Sequence, residues 1–419
     1  MKNTLLLKIL IILQVFSLPC LPTYAMTLKE CTESSLENSK LLEAYENKVS
    51  SSIASYRKDQ SELWPKLSAN AESDYLRFGK ESDLPRRSGN EGRVSVSATL
   101  DLQKILSHYP ELSHLDIEKN RLIRKISESE IQKSVTQDYY KLGILLKKKR
   151  DYADANAYFN ELIKDIEKLG SQGVDVKLDL GRARVQLNSL QISAGGVSSE
   201  IEHTLLSLGS MMNTRLKESD FSSMDEPDIN SMKVNRAVSG EDSQNLVQSR
   251  ADEMDLRISK AAYNRSGVYY APSLQAGLNH NIDTVDPNAE AYRVFLALSF
   301  DIFDFGQKAK EREELKYAYE AQKNLFENNQ RKLKTQIEQL TADVGNLQAI
   351  YKNASDNLNT ASQSIETAKI YYRQGKIKEA DLLNTFSDYL AAKNQAYDVL
   401  SDYLSKKVEL DFLLRGMGK

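Results

Sequence analysis

The chain has 419 residues, 41% apolar and 27% charged, with 21 Tyr and 11 Phe. That content excludes a disordered tail, and only 18 Gly and 8 Pro argue for long uninterrupted elements rather than loop-rich domains. A formal charge of −3 gives no basic surface to recommend nucleic acid as a partner.

Lys2 and Lys8 flank the start of an apolar stretch, Leu5 to Leu18, and Thr23-Tyr24-Ala25 places small residues at the last and third-from-last positions of a cleavage site. Residues 1–25 read as a cleaved signal peptide, since a permanent anchor needs ~20 apolar residues. Cys20 follows bulky Leu18 and Pro19, a poor context for lipidation. After cleavage only Cys31 remains, so no intrachain disulfide forms and stability rests on packing. No later segment reads as a transmembrane helix, so any entry into a membrane is by strands.

The mature chain reads as two diverged copies of one pattern. Arg93–Asp101 lines up with Arg293–Asp301, Trp64-Pro65-Lys66-Leu67 with Ala271-Pro272-Ser273-Leu274, and Gly173 and Asp179 with Gly375 and Asp381. The first copy spans 26–212, a connector rich in Ser, Asp and Asn spans 213–241, and the second copy spans 242–419. In chain order the first copy predicts a helix over about 28–63, strands over about 66–78 and 93–102, a long helix over about 104–169, a turn, and a helix over about 174–211. The second predicts a helix over about 242–267, strands over about 273–283 and 291–303, a long helix over 307–373, and a helix over about 376–413.

The strand signal is a period of two. Val94, Val96, Ala98, Leu100 and Leu102 alternate with Ser95, Ser97, Thr99 and Asp101; Val294, Leu296, Leu298, Phe300 and Ile302 do the same in the second copy. Each strand is about ten residues, the length that crosses a bilayer at a tilt. A soluble four-stranded sheet packed on helices would share the alternation. The unbroken apolar face of both return strands, and the charged first loop with Lys80, Glu81, Asp83, Arg86 and Arg87, favour the membrane. Four strands cannot close a barrel, and an open sheet in lipid leaves two edges of unpaired backbone groups. The membrane reading therefore requires oligomerisation, and three protomers give roughly twelve strands.

The helix signal is a seam. Leu333, Ile337, Leu340, Val344, Leu347, Tyr351, Ala354, Leu358, Ala361, Ile365, Ala368 and Tyr372 step by four and three throughout, the heptad pattern of coiled-coil packing. The first copy is rougher, with Leu145, Tyr152, Phe159 and Ile166 recurring every seven and partnered by Ala155, Leu162 and Leu169.

Taken together, these pieces resemble the outer-membrane efflux protein (TolC) family along nearly the whole mature chain. The residues that carry the resemblance are Trp64-Pro65 and Ala271-Pro272 before each first strand, Phe300-Asp301-Ile302-Phe303-Asp304-Phe305-Gly306 after the last, and Tyr371-Tyr372-Arg373-Gln374-Gly375 followed by Ala380-Asp381-Leu382-Leu383. The resemblance implies a mainly α protein with a membrane β-barrel, a homotrimer of twelve strands over a twelve-helix periplasmic tunnel. It implies an exit duct for efflux or type I secretion, seated in outer-membrane lipid and docked on a periplasmic adaptor and an inner-membrane pump. In the family the tunnel tip closes through polar contacts near the interhelical turns. Asp381 matches the pore-constricting acidic position, Asp179 the first-copy gate carboxylate, and Tyr372 the tyrosine that can bond it. The gate Arg position is Ile377 here and a second acidic position is Asn384; Arg182, Lys376 or Lys378 could stand in for the missing cation. Adaptor contact would involve Leu169, Gly170, Gly173, Gln374 and Gly375. Read from the residues alone, Asp179 and Asp381 are also carboxylates favoured by a helix N-terminus.

No cofactor or metal is expected. His108, His114, His203 and His280 lack ligand spacing, and no P-loop, dinucleotide fingerprint or nucleophile elbow is present, so no enzyme is expected. The alternative to a duct is a periplasmic coiled-coil structural or adaptor protein without a membrane barrel.

Overall fold

The computed structural model describes residues 26–76, 89–101, 104, 105, 107, 110–221, 224, 246–270, 273–283, 291–299 and 303–415. The signal peptide with Cys20, His108, the hairpin loops, Ala271-Pro272 and most of the 213–241 connector lie outside them. The described elements are α1 (Leu28–Glu37), α2 (Lys40–Ser61), β1 (Lys66–Leu76), β2 (Gly89–Asp101), α3 (Glu111–Ser171), α4 (Lys177–Met212), a 3-10 turn (Glu218–Phe221), α5 (Val247–Arg265), a second 3-10 turn (Ser266–Tyr270), β3 (Ser273–Asp283), β4 (Ala291–Ser299), α6 (Gln307–Arg373) and α7 (Glu379–Arg415).

Several boundaries differ from the sequence expectation. The first helix is broken in two. Asn38 caps α1, its side-chain amide donating to the Ser34 carbonyl at 2.9 Å. The first long helix begins at Glu111 rather than near 104, because Pro110 cannot continue a helix from its N-terminal side yet suits the start of one. α5 starts at Val247 and tightens into a 3-10 turn after Arg265. β2 starts four residues earlier than the alternation suggested, at Gly89.

The chain divides into two compact units, each drawing on both sequence copies. One unit holds residues up to Lys40, 128–238 and 336–415. Its core is the heptad seam. Leu145, Tyr152, Phe159 and Ile166 of α3 are all buried, as are Ala155 and Leu162, whereas Leu169 is exposed at the helix end. On α4, Ala183, Leu190, Val197 and Thr204 recur every seven residues and are buried; on α7, Leu382, Ala396, Tyr403 and Leu410 fall on the same seven-residue frame. Of the α6 seam, all the residues from Ile337 to Tyr372 named above are buried or half-buried. Phe386 of α7 packs edge-on against Phe159 at 4.8 Å and stacks on Tyr158 at 5.4 Å. A polar network crosses the same seam. Asp151 accepts from Tyr397 Oη at 2.7 Å and pairs with Lys393 at 2.7 Å, while Asn394 donates to Tyr152 Oη at 2.9 Å. Satisfied polar groups inside a seam fix which turn faces which. α1 joins this unit through fully buried Cys31, and Met26 N–H donates to the Asp220 carbonyl at 2.7 Å. Burial first, then the Glu30 charge, pushes the Cys31 thiol up to about 11.

The other unit holds residues 41–127 and 239–335 and contains the sheet. Its helices are tied by Lys119–Asp255 at 2.5 Å, Asn120 to Ser52 at 2.8 Å, and a Ser113–Asp59 hydrogen bond. The four strands run β1-β2-β3-β4, antiparallel throughout. Register aligns Ala69 with Val96, Val94 with Ile282, Ala98 with Leu278, and Leu278 with Val294. One face therefore carries Leu67, Val94, Val96, Leu278, Val294, Leu296 and Leu298, and the opposite face carries Ser68, Asn70, Ser95, Ser97, Gln275 and Ser299 together with Phe295 and Ala297. The apolar face is uncovered, with Val294 83% and Leu296 70% exposed. β1 and β4 are the sheet edges, and among the described residues no strand pairs their outer sides. No described helix is long and apolar enough to cross a membrane.

Candidate functional site

Both interhelical turns are built alike, and the sequence dictates it. At the end of α3, Gly173 donates to the Gly170 carbonyl at 3.1 Å and Val174 to the Leu169 carbonyl at 3.3 Å. At the end of α6, Gly375 donates to Tyr372 at 2.9 Å and Lys376 to Tyr371 at 2.8 Å. These are two Schellman ends, each with its glycine in the left-handed region, φ +93° at Gly173 and +67° at Gly375. The chain reverses within a few residues and begins α4 at Lys177 and α7 at Glu379.

The turns bring part of the expected gate together. Asp179 lies in the first turn of α4, half-buried, and Tyr372 in the last turn of α6, also half-buried. Burial raises the Tyr372 hydroxyl pKa, and the charges of Glu379, Asp179 and Asp165 add to the rise. Tyr372 thus sits in an acidic surrounding, joined to Asp179 by its field rather than by a hydrogen bond.

Sequence reasoning passed over the residue at the centre of this group. Glu379 is 6% exposed, the first residue of α7, and neither of its carboxylate oxygens has a hydrogen-bond donor. Asp179 stands within hydrogen-bonding reach of it, and Arg182 is its nearby cation. Burial, then Asp179, pushes the Glu379 carboxyl up to about 7, with Arg182 opposing. A signal was present: the duplication that aligns Gly173 with Gly375 puts Lys177 opposite Glu379, so the copies differ in charge there.

The other candidates lie apart from this group. Asp381 is exposed, and its carboxylate accepts from the Lys378 N–H at 3.2 Å, capping its own helix. Asn384 and Arg182 are exposed and line one open cleft of about 630 Å³ with Lys177, Leu383 and Ser387. Ile377, uncharged, is half-buried against the apolar core, and Lys376 lies over the Tyr371 ring at 5.4 Å. Of the adaptor candidates, Leu169, Gly173, Gln374 and Gly375 are exposed. Gly170 is half-buried, and a Cβ there would meet Val176 Cγ2 at 2.8 Å.

Residues 243–416 match the family model described as outer membrane efflux protein. No curated protein matches the sequence. Three solved structures share the fold. The outer membrane protein VceC of Vibrio cholerae aligns over 92% of this chain and 95% of its own, at 14% identity and a TM-score of 0.80. The CmeC outer membrane channel of Campylobacter jejuni aligns over 94% and 86%, at 14% identity and 0.81. The open state of the MtrE outer membrane channel of Neisseria gonorrhoeae aligns over 96% and 94%, at 16% identity and 0.74.

Proposed function

We propose that the whole chain, whose residues 243–416 match the family model for outer membrane efflux proteins, is a passive exit duct of the outer membrane. Its working form is a homotrimer that pools three four-stranded sheets into one barrel and continues into the periplasm as a helical tunnel. A periplasmic adaptor and an inner-membrane pump complete the export path, and the energy comes from the pump.

The observation that carries this reading is the sheet. One face is apolar and uncovered, the other more polar with Phe295 and Ala297 among its serines, and the sheet ends in two open edges. In water such a surface is costly, at roughly 25 cal/mol per Å² of apolar area. In lipid the apolar face is satisfied, and edge-to-edge pairing of copies satisfies the backbone. A second feature supports oligomerisation. Leu178, Val185 and Ile192 of α4 are exposed at seven-residue spacing, and Leu206 continues that frame. An exposed heptad stripe is a seam without its partner, and a second copy supplies one. We take Asp179, Tyr372 and Arg182 as part of the periplasmic gate, with Asp381 and Asn384 facing the pore and the turn tips meeting the adaptor.

The test places nitroxide labels on adjacent residues of β4, at Leu296→Cys and Ala297→Cys, in lipid vesicles. Cys31 of the mature chain is buried with a raised thiol pKa and stays unlabelled. Lipid-dissolved oxygen should relax the label at 296 and a water-soluble nickel chelate the label at 297. Equal access of the chelate to both would exclude a membrane-facing sheet.

A further inference from the structure

We infer that Asp179 and Glu379 form a proton-sharing carboxyl pair that holds the starts of α4 and α7 together when it carries one proton and separates them when it carries none.

The argument begins with burial. A carboxylate taken out of water without a donor bears the full loss of its hydration. Glu379 is in that position, with both oxygens buried and without a donor, and the side chain within hydrogen-bonding reach, Asp179, is a second carboxylate. Two ionised carboxylates can only accept. A proton on Glu379 supplies the missing donor, Asp179 becomes its acceptor, and the repulsion turns into a charge-assisted hydrogen bond. The groups that face the pair come from three helices. α4 contributes Asp179 itself and Arg182, α6 contributes Tyr372, and α3 adds the charge of Asp165 beside Tyr372. Arg182 is the cation among them, and it is exposed, so solvent weakens its hold.

The pH sense follows from the direction of the shift. Glu379 titrates at about 7 when the turns are closed, above its ordinary value of 4.5. A carboxyl raised in the closed form stabilises that form fully below the ordinary value, and the contribution is lost as pH rises through about 7. The turns therefore tighten in acid and loosen in mild alkali. Glu379 has no counterpart in the first copy, where Lys177 stands, so this device belongs to one turn and is not repeated.

The test is hydrogen–deuterium exchange of the full-length mature protein in detergent at pH 6 and pH 8, after correcting for the intrinsic pH dependence of exchange. Peptides over 172–183 and 374–384 should open about tenfold more at pH 8, the worth of one pKa unit of differential interaction. Peptides from the α3 core around Leu142 should not change. In Glu379→Gln the amide donates at either pH, and the difference should fall below about twofold. Should that variant fold poorly, Asp179→Asn gives the same flattening by donating to Glu379. A flat wild type, or a tenfold change that survives in both variants, overturns the pair. The pair's effect on transport rests on the duct reading, but exchange is read whether or not the chain conducts. Flat exchange leaves the duct standing, and a failed labelling of the sheet leaves the pair standing.

Discussion

At the scale of residues, identity and role separate most clearly at the turns. Gly173 and Gly375 are legible from sequence, because a glycine between two long periodic runs marks a left-handed helix end. The carboxylates are only half legible. Asp381 stands out through the family resemblance, yet its side chain caps its own helix at 3.2 Å. Glu379 looks like one more acidic residue in a first helical turn, and only packing reveals that it is buried without a donor. One-dimensional spacing does not say which side of a helix start a neighbouring turn covers. A paired substitution tests the backbone account. Gly375→Ala places a Cβ at φ +67° and should destabilise the helical unit by about 1–2 kcal/mol. Gly345→Ala lies on the exposed side of α6 with nothing within 4 Å of the added Cβ and should stabilise it by about 0.5–1 kcal/mol. Urea unfolding followed by circular dichroism measures both, and the same sign for the two would contradict the account.

At the scale of elements, periodicity is a dependable guide and the breaks are not. The α6 bounds, 307–373, are visible because no proline interrupts a seam that steps by four and three. The start of α3 is hard to place because strand and helix patterns run together near 102–110, and Pro110 decides the matter. The gap between α1 and α2 has no proline to announce it; Asn38 makes it by turning its amide back onto Ser34. The aromatic cluster at the lower seam is also invisible in the sequence, since Phe386 comes from the far end of the chain. Its packing against Phe159 and Tyr158 makes it a main brace of the helices that carry the turns. Phe386→Ala should cost about 3–5 kcal/mol in the same unfolding measurement, the usual range for emptying a buried aromatic site. A loss under about 1 kcal/mol would mean the cluster collapses without consequence.

At the scale of the whole molecule, the proposed oligomerisation rests first on the strand pattern. Alternating strands with one apolar face, too few to close, leave a single chain with edges that lipid cannot satisfy. The fold adds the register that puts Val94, Leu278, Val294 and Leu296 on one face, and the stripe Leu178, Val185 and Ile192 left open on α4. The cargo of the proposed duct is written in neither, because a passive conduit carries no substrate site for the residues to spell out. The central claim is that three copies share one membrane barrel. The mature protein, extracted from membranes in detergent and passed through size-exclusion chromatography with light scattering, should elute as a detergent-requiring particle of three protomers. A monomer or dimer that stays in solution without detergent would contradict it.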